Sequence, residues 1–330
     1  MAELTQQAIW RAFGTTTRGA AHERSGLPNQ DHINWYPKRP GRYGPPLVVA
    51  VADGHGSAKS FRSDIGSELA TQRTKLAVRQ ILKSEFPDLE LSKVKRLLEE
   101  RLPRDLVQGW QAAVDQHLAD NPIKDEEYTS LEAKEGPAGR QKVEANPYLV
   151  YGATLLVTLV TESFAAYFQL GDGDILVVSD QGEASRPLPR DERLIANETT
   201  SLCSHLAWQD FRSGFQPFAV SPPAMILMST DGYSNSFRDE ESFFKVGTDL
   251  LDMLRADGAK KVCSSLRGWL QEASRSGSGD DITLGVIYRE DALSPGGPQI
   301  TPPNPDPLAA DACLEDVADD EESSGDNTIL

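Results

Sequence analysis

Six consecutive small or branched apolar residues, Leu47-Val48-Val49-Ala50-Val51-Ala52, run straight into Asp53-Gly54-His55-Gly56. The run is too short for a stable helix, and β-branched side chains suit a pleated surface, so it predicts a strand covered on both faces. The fold must bury that strand and still present its polar end. A carboxylate and an imidazole at the rim of a buried strand, with glycines that let a ligand approach the backbone, point to a functional site. Asp-Gly is also a favoured turn dipeptide. This stretch alone is equally compatible with an ordinary strand-to-turn junction.

Similar runs recur. Residues 8–17, Ile33-Asn34-Trp35, and residues 150–160, 164–170, 175–178, 225–228 and 282–288 predict further strands. Those between 150 and 178, joined by short turns, read as an antiparallel meander. Helical periodicity appears over about 57–83, where Phe61, Ile65, Leu69, Leu76 and Ile81 share a face. It returns over 91–101, over a third stretch from Pro103 to Leu118 that takes the proline in its first turn, and over 239–256 and 259–274. Residues 121–146 are charged and carry Gly and Pro, and are expected to form a surface connection. Residues 181–220 lack periodicity, with Trp208, Phe211 and Phe215 as apolar anchors.

The formal net charge of −17 is unevenly placed, since ten acids and no Lys or Arg fall within 291–330, leaving −7 for residues 1–290. The terminal segment is Pro-rich, then acidic, and cannot bury enough apolar surface to offset its ordering entropy. The expected organisation is one folded domain over 1–290 and a disordered tail over 291–330. A mildly acidic body offers no basic footprint for nucleic acid. No apolar run reaches the length of a membrane span, and the N-terminus lacks a signal-peptide pattern. Cys203, Cys263 and Cys313 are too scattered to suggest a disulfide framework or a zinc knuckle. A soluble, cytoplasmic protein without nucleic-acid or membrane partners is expected, and nothing in the pattern specifies an oligomeric state.

One event repeats along the chain. Asp53, Asp172 and Asp231 each follow an apolar run and precede a glycine, while Asp280 and Asp31 each stand just before one. If those strand ends converge, several carboxylates meet at one rim and raise each other's pKa values. A cation relieves that repulsion, and an all-oxygen donor set without Cys favours hard divalent ions. Two such ions close together activate a water and clamp phosphate oxygens.

Asn29-Gln30-Asp31, Asp53-Gly54-His55-Gly56, Gly152-Ala153-Thr154, Gly171-Asp172-Gly173-Asp174, Ser229-Thr230-Asp231-Gly232 and Gly279-Asp280-Asp281-Ile282-Thr283 occur in that order. Over residues 10–290 the set resembles the type-2C, metal-dependent protein serine/threonine phosphatases. The resemblance implies an α+β fold, a four-layer α-β-β-α sandwich in which two antiparallel sheets are flanked by helix pairs. It implies a phosphoric monoester hydrolase that uses two Mn²⁺ or Mg²⁺ ions, with a weaker third position. Phosphoserine and phosphothreonine would be hydrolysed by a water activated between the metals, without a covalent phosphoenzyme. Asp53 would bridge both metals and the Gly54 carbonyl would ligate one. Asp231 and Asp280 would bind the first metal, Asp31 would act at the other, and Asp172 would serve the third position. His55 would protonate the departing oxygen, a role suited to a group that titrates near neutrality. Phosphorylated proteins would be the substrates, and a cognate Ser/Thr kinase a partner.

The chain departs from the family pattern in three places. The phosphate-binding arginine expected five residues before the first acid is Gly26 here. Arg24 is taken as its replacement, with Arg18 and His22 as alternatives. Asp174 and Asp281 replace the usual arginine and asparagine and are expected to add acid near the metals, Asp281 in a supporting or structural role. Asp172, Asp174, Asp180 and Glu183 mimic the spacing of a calcium loop, but Val177 stands where glycine is required. His32, His117 and His205 read as surface or packing residues, Cys203 and Cys263 as core, and 181–220 as the family's variable flap. Two other readings fit the same features: a catalytically silent regulatory or binding module, and a hydrolase of small phosphate esters on the same scaffold.

Overall fold

The computed structural model describes residues 9–37, 46–84, 90–189, 191, 199–218 and 222–294. Its strands are β1 (Trp10–Thr17), β2 (His32–Tyr36), β3 (Leu47–Ala52), β4 (Leu155–Val160), β5 (Phe164–Leu170), β6 (Asp174–Val178), β7 (Ala184–Ser185), β8 (Arg212–Pro217), β9 (Met225–Ser229) and β10 (Ile282–Arg289). Its helices are α1 (Ala20–Ser25), α2 (Ser63–Ser84), α3 (Leu91–Asp120), α4 (Asp125–Ala145), α5 (Asp231–Ser234), α6 (Glu240–Asp257) and α7 (Ala259–Ser276). One sheet has the order β1-β10-β9-β6-β7 and the other β2-β3-β4-β5-β8. Neighbouring strands are antiparallel throughout.

Alternation along the strands sorts the apolar residues into three cores. Val49 and Val51 of β3, Leu156 of β4, Ile226 and Met228 of β9 and Ile287 of β10 fill the space between the sheets. Val48, Ala50 and Ala52, with Val157 and Leu159, turn the other way, against Ala70, Val78, Leu98, Leu106 and Trp110 of α2 and α3. Met225, Leu227, Leu284 and Val286 face Leu250, Leu254, Val262 and Leu266 of α6 and α7. This is the expected four-layer α-β-β-α arrangement, and it explains why β3 reads as an unbroken apolar run: both of its faces are covered.

Several local expectations fail for identifiable reasons. Residues 91–120 form one helix through Pro103 rather than two. Leu98, Leu102, Leu106 and Trp110 form a buried stripe with four-residue spacing, and that packing outweighs the roughly 3 kcal/mol cost of an interior proline. Trp110 Nε1 also donates to Gly66 O at 3.0 Å, tying α3 to α2. The stretch at 121–146, expected as a connection, is mostly the helix α4. It has acids in its first turn and Leu131, Gly139 and Val143 buried, and it kinks at Gly136, where φ is 71°. So few buried residues leave little apolar signal to read. The buried Arg62 guanidinium anchors α4, donating to both Glu127 oxygens at 2.9 and 2.7 Å and to Asn121 O at 2.7 Å.

The meander is also corrected. Residues 147–151 form a 3₁₀ turn, β4 starts at Leu155, and only β4 and β5 pair as a hairpin. β6 leaves for the other sheet and pairs with β9. Glycines permit the crossing: Gly171 has φ of 104°, and a Cβ on Gly173 would lie 2.7 Å from Ser229 O. Trp208, Phe211 and Phe215 do anchor 181–220 against the core, but the region is not wholly irregular: it holds β7 and β8, and β8 pairs with β5. Cys203 is a free buried thiol. Cys263 is disulfide-bonded, contrary to expectation, with its partner outside the described residues. Folded contacts continue past 290, where Ala292 is buried and Arg255 Nε donates to its carbonyl at 3.1 Å. Residues 295–330, most of the expected tail, lie outside the described residues. No helix among the described residues is long and apolar enough to cross a membrane.

Gly14 and Gly285 pair across β1 and β10 within one sheet, and both lie against Ile33 of the other sheet. A Cβ on Gly14 would lie 2.5 Å from Ile33 Cδ1 and 2.7 Å from Leu284 O. Gly14→Ala is therefore expected to cost about 1–3 kcal/mol, the range for overpacking, measured as a lower urea midpoint at unchanged m value.

Candidate active site

Antiparallel pairing brings the end of one strand beside the start of its neighbour, and that rule assembles the site. His32 pairs with Ala52, so Asp31 before β2 lies beside Asp53 after β3. Leu155 pairs with Leu170, which brings Thr154 and Asp172 to the same rim. In the other sheet Ser229 pairs with both Leu284 and Asp174, which places Asp231 and Asp280 together. Thr230 Oγ1 then donates across the seam between the sheets to Asp31 Oδ2 at 2.7 Å. The rims of the two sheets thus meet at their acids.

Burial makes this gathering costly. Asp31 is pushed well above the usual carboxylate range by desolvation, and Asp281 and Asp280 push it further, against hydrogen bonds from Thr230 and Thr283. Asp53 is raised by burial, then by Asp31 and Asp231. Asp231 is raised to about 6 by burial and by Asp172 and Asp280, while its hydrogen bond with Asp53 opposes the shift. A divalent cation suits such a donor set, which is all oxygen and includes the buried Asp31 Oδ1 with no hydrogen-bond partner. As the side chains lie, however, no three His, Cys, Asp or Glu residues among those described close into a metal-holding group. Other carboxylate oxygens are turned to protein donors instead: Asp231 Oδ2 to Asn235 Nδ2 at 3.0 Å, and Asp280 Oδ1 to Asp281 N at 2.8 Å.

The backbone around Asp53 leaves no freedom. Asp53 N donates to Thr154 Oγ1 at 3.0 Å and Thr154 N to Asp53 O at 2.8 Å. A Cβ on Gly54 would lie 2.6 Å from both Gln30 O and Ser63 O, so the position demands glycine. His55 N donates to Gly152 O at 3.0 Å, and its Nε2 lies 2.7 Å from Ser201 Oγ. Burial lowers the His55 pKa, Asp172 raises it and Lys59 lowers it.

The departures from the family pattern resolve differently. Asp281 is structural: it accepts from Gly19 N and Gln30 N at 2.6 Å each and pairs with His22 Nδ1 at 2.9 Å. His22 is thereby committed to Asp281. Asp174 is held by Arg186 Nε at 2.7 Å, which offsets its charge, so it does not simply add acid to the site. Arg18 Nη2 donates to His22 O at 2.9 Å, and its Nε is buried without a partner. Arg24 is exposed on α1 and makes no hydrogen bond or ion pair among the described residues. That helix is docked on the Asp280 loop through Ala21 N to Gly279 O at 2.8 Å. His32 and His117 pack as expected, against Thr71 Oγ1 at 2.6 Å and Tyr151 OH at 2.8 Å. Ser201 was not singled out from the sequence. It lies in the aperiodic 181–220 segment, and only its contact with His55 reveals it.

The model of the protein phosphatase 2C family matches residues 18–271, and the chain belongs to that family. Among solved structures, a bacterial serine phosphatase is 13% identical, with 85% of this chain and 98% of that chain covered and a TM-score of 0.51. A C. elegans sex-determining protein is 18% identical, with 86% and 66% covered and a TM-score of 0.52. Both share the fold. No curated protein sequence matches the chain.

Raised carboxylate pKa values mean that the native state keeps protons the unfolded chain has released. Metal-free protein therefore loses stability as pH rises from the unfolded value near 4 through the native value, about 6 for Asp231. That group alone accounts for about 3 kcal/mol over this window. In EDTA the Tm is expected to be higher at pH 5 than at pH 7.5, with the difference reduced in Asp231→Asn and by saturating Mg²⁺. A Tm in EDTA that climbs from pH 5 to 7.5 would contradict the clustering.

Proposed function

We propose that this protein is a metal-dependent protein serine/threonine phosphatase that releases phosphate from phosphoserine and phosphothreonine. One observation carries the reading: in a member of the protein phosphatase 2C family, Asp31, Asp53, Asp231 and Asp280 from both sheets interact beside His55. Asp53 and the Gly54 carbonyl, with Asp231 and Asp280 on one side and Asp31 on the other, would hold two Mn²⁺ or Mg²⁺ ions. Asp172 is left for a weaker third position. Such ions, when bound, supply an activated water and neutralise phosphoryl charge.

The chain's own residues do the remaining work. The glycine at 54 lets the Asp53 turn lie flat on Gln30 and Ser63, so the carboxylate is held rather than searching. His55 stands ready to give a proton to the seryl or threonyl oxygen as the P–O bond breaks, because an alkoxide is a poor leaving group. Arg24, exposed on the helix docked to the Asp280 loop, is the group we assign to the phosphoryl oxygens. The substrates are then phosphorylated proteins, and a Ser/Thr kinase acting on the same proteins is the natural partner.

Phosphate release from a phosphothreonine peptide should require Mn²⁺ or Mg²⁺, stop in EDTA, and fall at least about a hundredfold in Asp53→Asn and Asp231→Asn, since even residues that only support metal ligands matter on that scale. Mn²⁺ binding measured by calorimetry with no turnover of any ester would favour a silent binding module. Turnover confined to small esters would favour the small-ester hydrolase.

A further inference from the structure

We infer that Ser201 is a positioning residue for His55: it holds the Nε2–H of the imidazole and so commits Nδ1 to the departing oxygen. The inference rests on the phosphatase reading above and adds a residue outside the recurrent acidic motifs.

The imidazole has one edge against protein. A Cβ on Gly152 would lie 2.5 Å from His55 Cδ2, so the ring fills the place of that missing side chain. The adjacent ring atom, Nε2, is 2.7 Å from Ser201 Oγ. Cδ2 and Nε2 are thus both occupied by protein, and the opposite edge carries Nδ1. His55 keeps partial exposure.

The hydroxyl has several neighbours. Ser201 is buried; its Oγ donates to Ala153 O at 3.2 Å, lies 3.2 Å from Cys203 Sγ and accepts from Cys203 N at 3.4 Å. A serine hydroxyl has one proton to give and two lone pairs. Placed on Ala153 O, that proton leaves one Oγ lone pair for Cys203 N and the other to accept from His55 Nε2–H. The segment bearing Ser201 is fastened on both sides: Gly171 N donates to Thr200 Oγ1 at 2.8 Å, Leu202 N to Ala153 O at 2.9 Å, and Asn146 Nδ2 to Cys203 O at 3.1 Å. The serine is therefore set by the same Gly152–Ala153 backbone that fixes His55, and the pair cannot drift apart independently.

The consequence for the reaction is specific. In the imidazolium both nitrogens carry protons, and the one on Nε2 is spent on Ser201. As water oxygen bonds to phosphorus, the P–O bond to serine or threonine breaks and its electron pair goes to the leaving oxygen. The Nδ1 proton moves to that oxygen, giving the alcohol and a neutral imidazole that still holds Nε2–H against Ser201.

The test compares full-length wild type with Ser201→Ala and Ser201→Thr at saturating Mn²⁺, on a phosphothreonine peptide and on p-nitrophenyl phosphate. A threonyl oxygen leaves only with a proton, whereas p-nitrophenolate leaves without one. Ser201→Ala should lower kcat on the peptide about tenfold more than kcat on the nitrophenyl ester, a fraction of the full contribution of a general acid. Ser201→Thr, which keeps the hydroxyl, should recover most of the peptide rate. A merely structural serine would lower both rates in the same proportion, and equal losses or no loss overturn the assignment. A wild type that releases phosphate from neither ester brings down the phosphatase reading itself. Independently of turnover, ¹⁵N NMR of the Mg²⁺-loaded protein should show neutral His55 as the Nε2–H tautomer in wild type and as a mixture in Ser201→Ala. A wild-type ring bare at Nε2 overturns the inference.

Discussion

Desolvation of a cluster of carboxylates, sharpened by their mutual repulsion, is the constraint around which this molecule is built. Asp31, Asp53 and Asp231 are all held above their ordinary pKa range, with burial as the leading cause and neighbouring acids adding to it. Nothing about a sandwich of antiparallel sheets requires acids at the seam; the packing has to overcome them. The surrounding donors are placed accordingly. Thr230 spans the two sheets to reach Asp31, and its hydroxyl also accepts from Thr283 N at 2.9 Å. Asp281 adds another acid, yet its oxygens take two backbone N–H groups and an imidazole, which fix the 19–30 segment that leads into Asp31. Stability is given up at the rim and recovered in the three apolar layers behind it.

Those layers do more than offset repulsion. β3 is buried on both faces, so a one-residue slip would exchange its inter-sheet and helix-facing residues and carry Asp53 away from Asp31. Gly14 and Gly285 leave room for Ile33, and Gly285 for Val49, of the facing sheet. On the outer side, Trp110 and Arg62 lock α3 and α4 onto the start of α2, close behind the loop that carries His55. Precision at the site is thus inherited from packing some distance away.

Much of this was legible in the sequence because it is written in short-range patterns. The apolar runs mark nearly every long strand, and the acids at their ends mark the rim, since antiparallel pairing turns a list of strand ends into one place. What escaped is what tertiary context decides. Pro103 looks like a helix boundary until a buried stripe on both sides of it is seen to continue. α4 exposes most of its residues and so carries little periodic signal. The passage of β6 to the second sheet depends on glycine geometry at 171 and 173, which resembles any tight turn in a one-dimensional reading. The replacement of the family's arginine by Asp174 makes sense only beside Arg186, twelve residues on. Ser201 has no local signature at all, because its role is defined by an imidazole 146 positions away in sequence.

The crossing at Gly171–Gly173 has a mechanical meaning. The chain changes sheets four times, between β1 and β2, β5 and β6, β7 and β8, and β8 and β9. The first two lie at the end that carries the carboxylates, and β8 begins there too, but the β8–β9 connection crosses at the opposite end, from Pro217, paired with Phe164, to Met225, paired with Val178. Shear between the sheets is thus checked at both ends of the sandwich, and the carboxylates sit at the end where the covalent ties are most numerous.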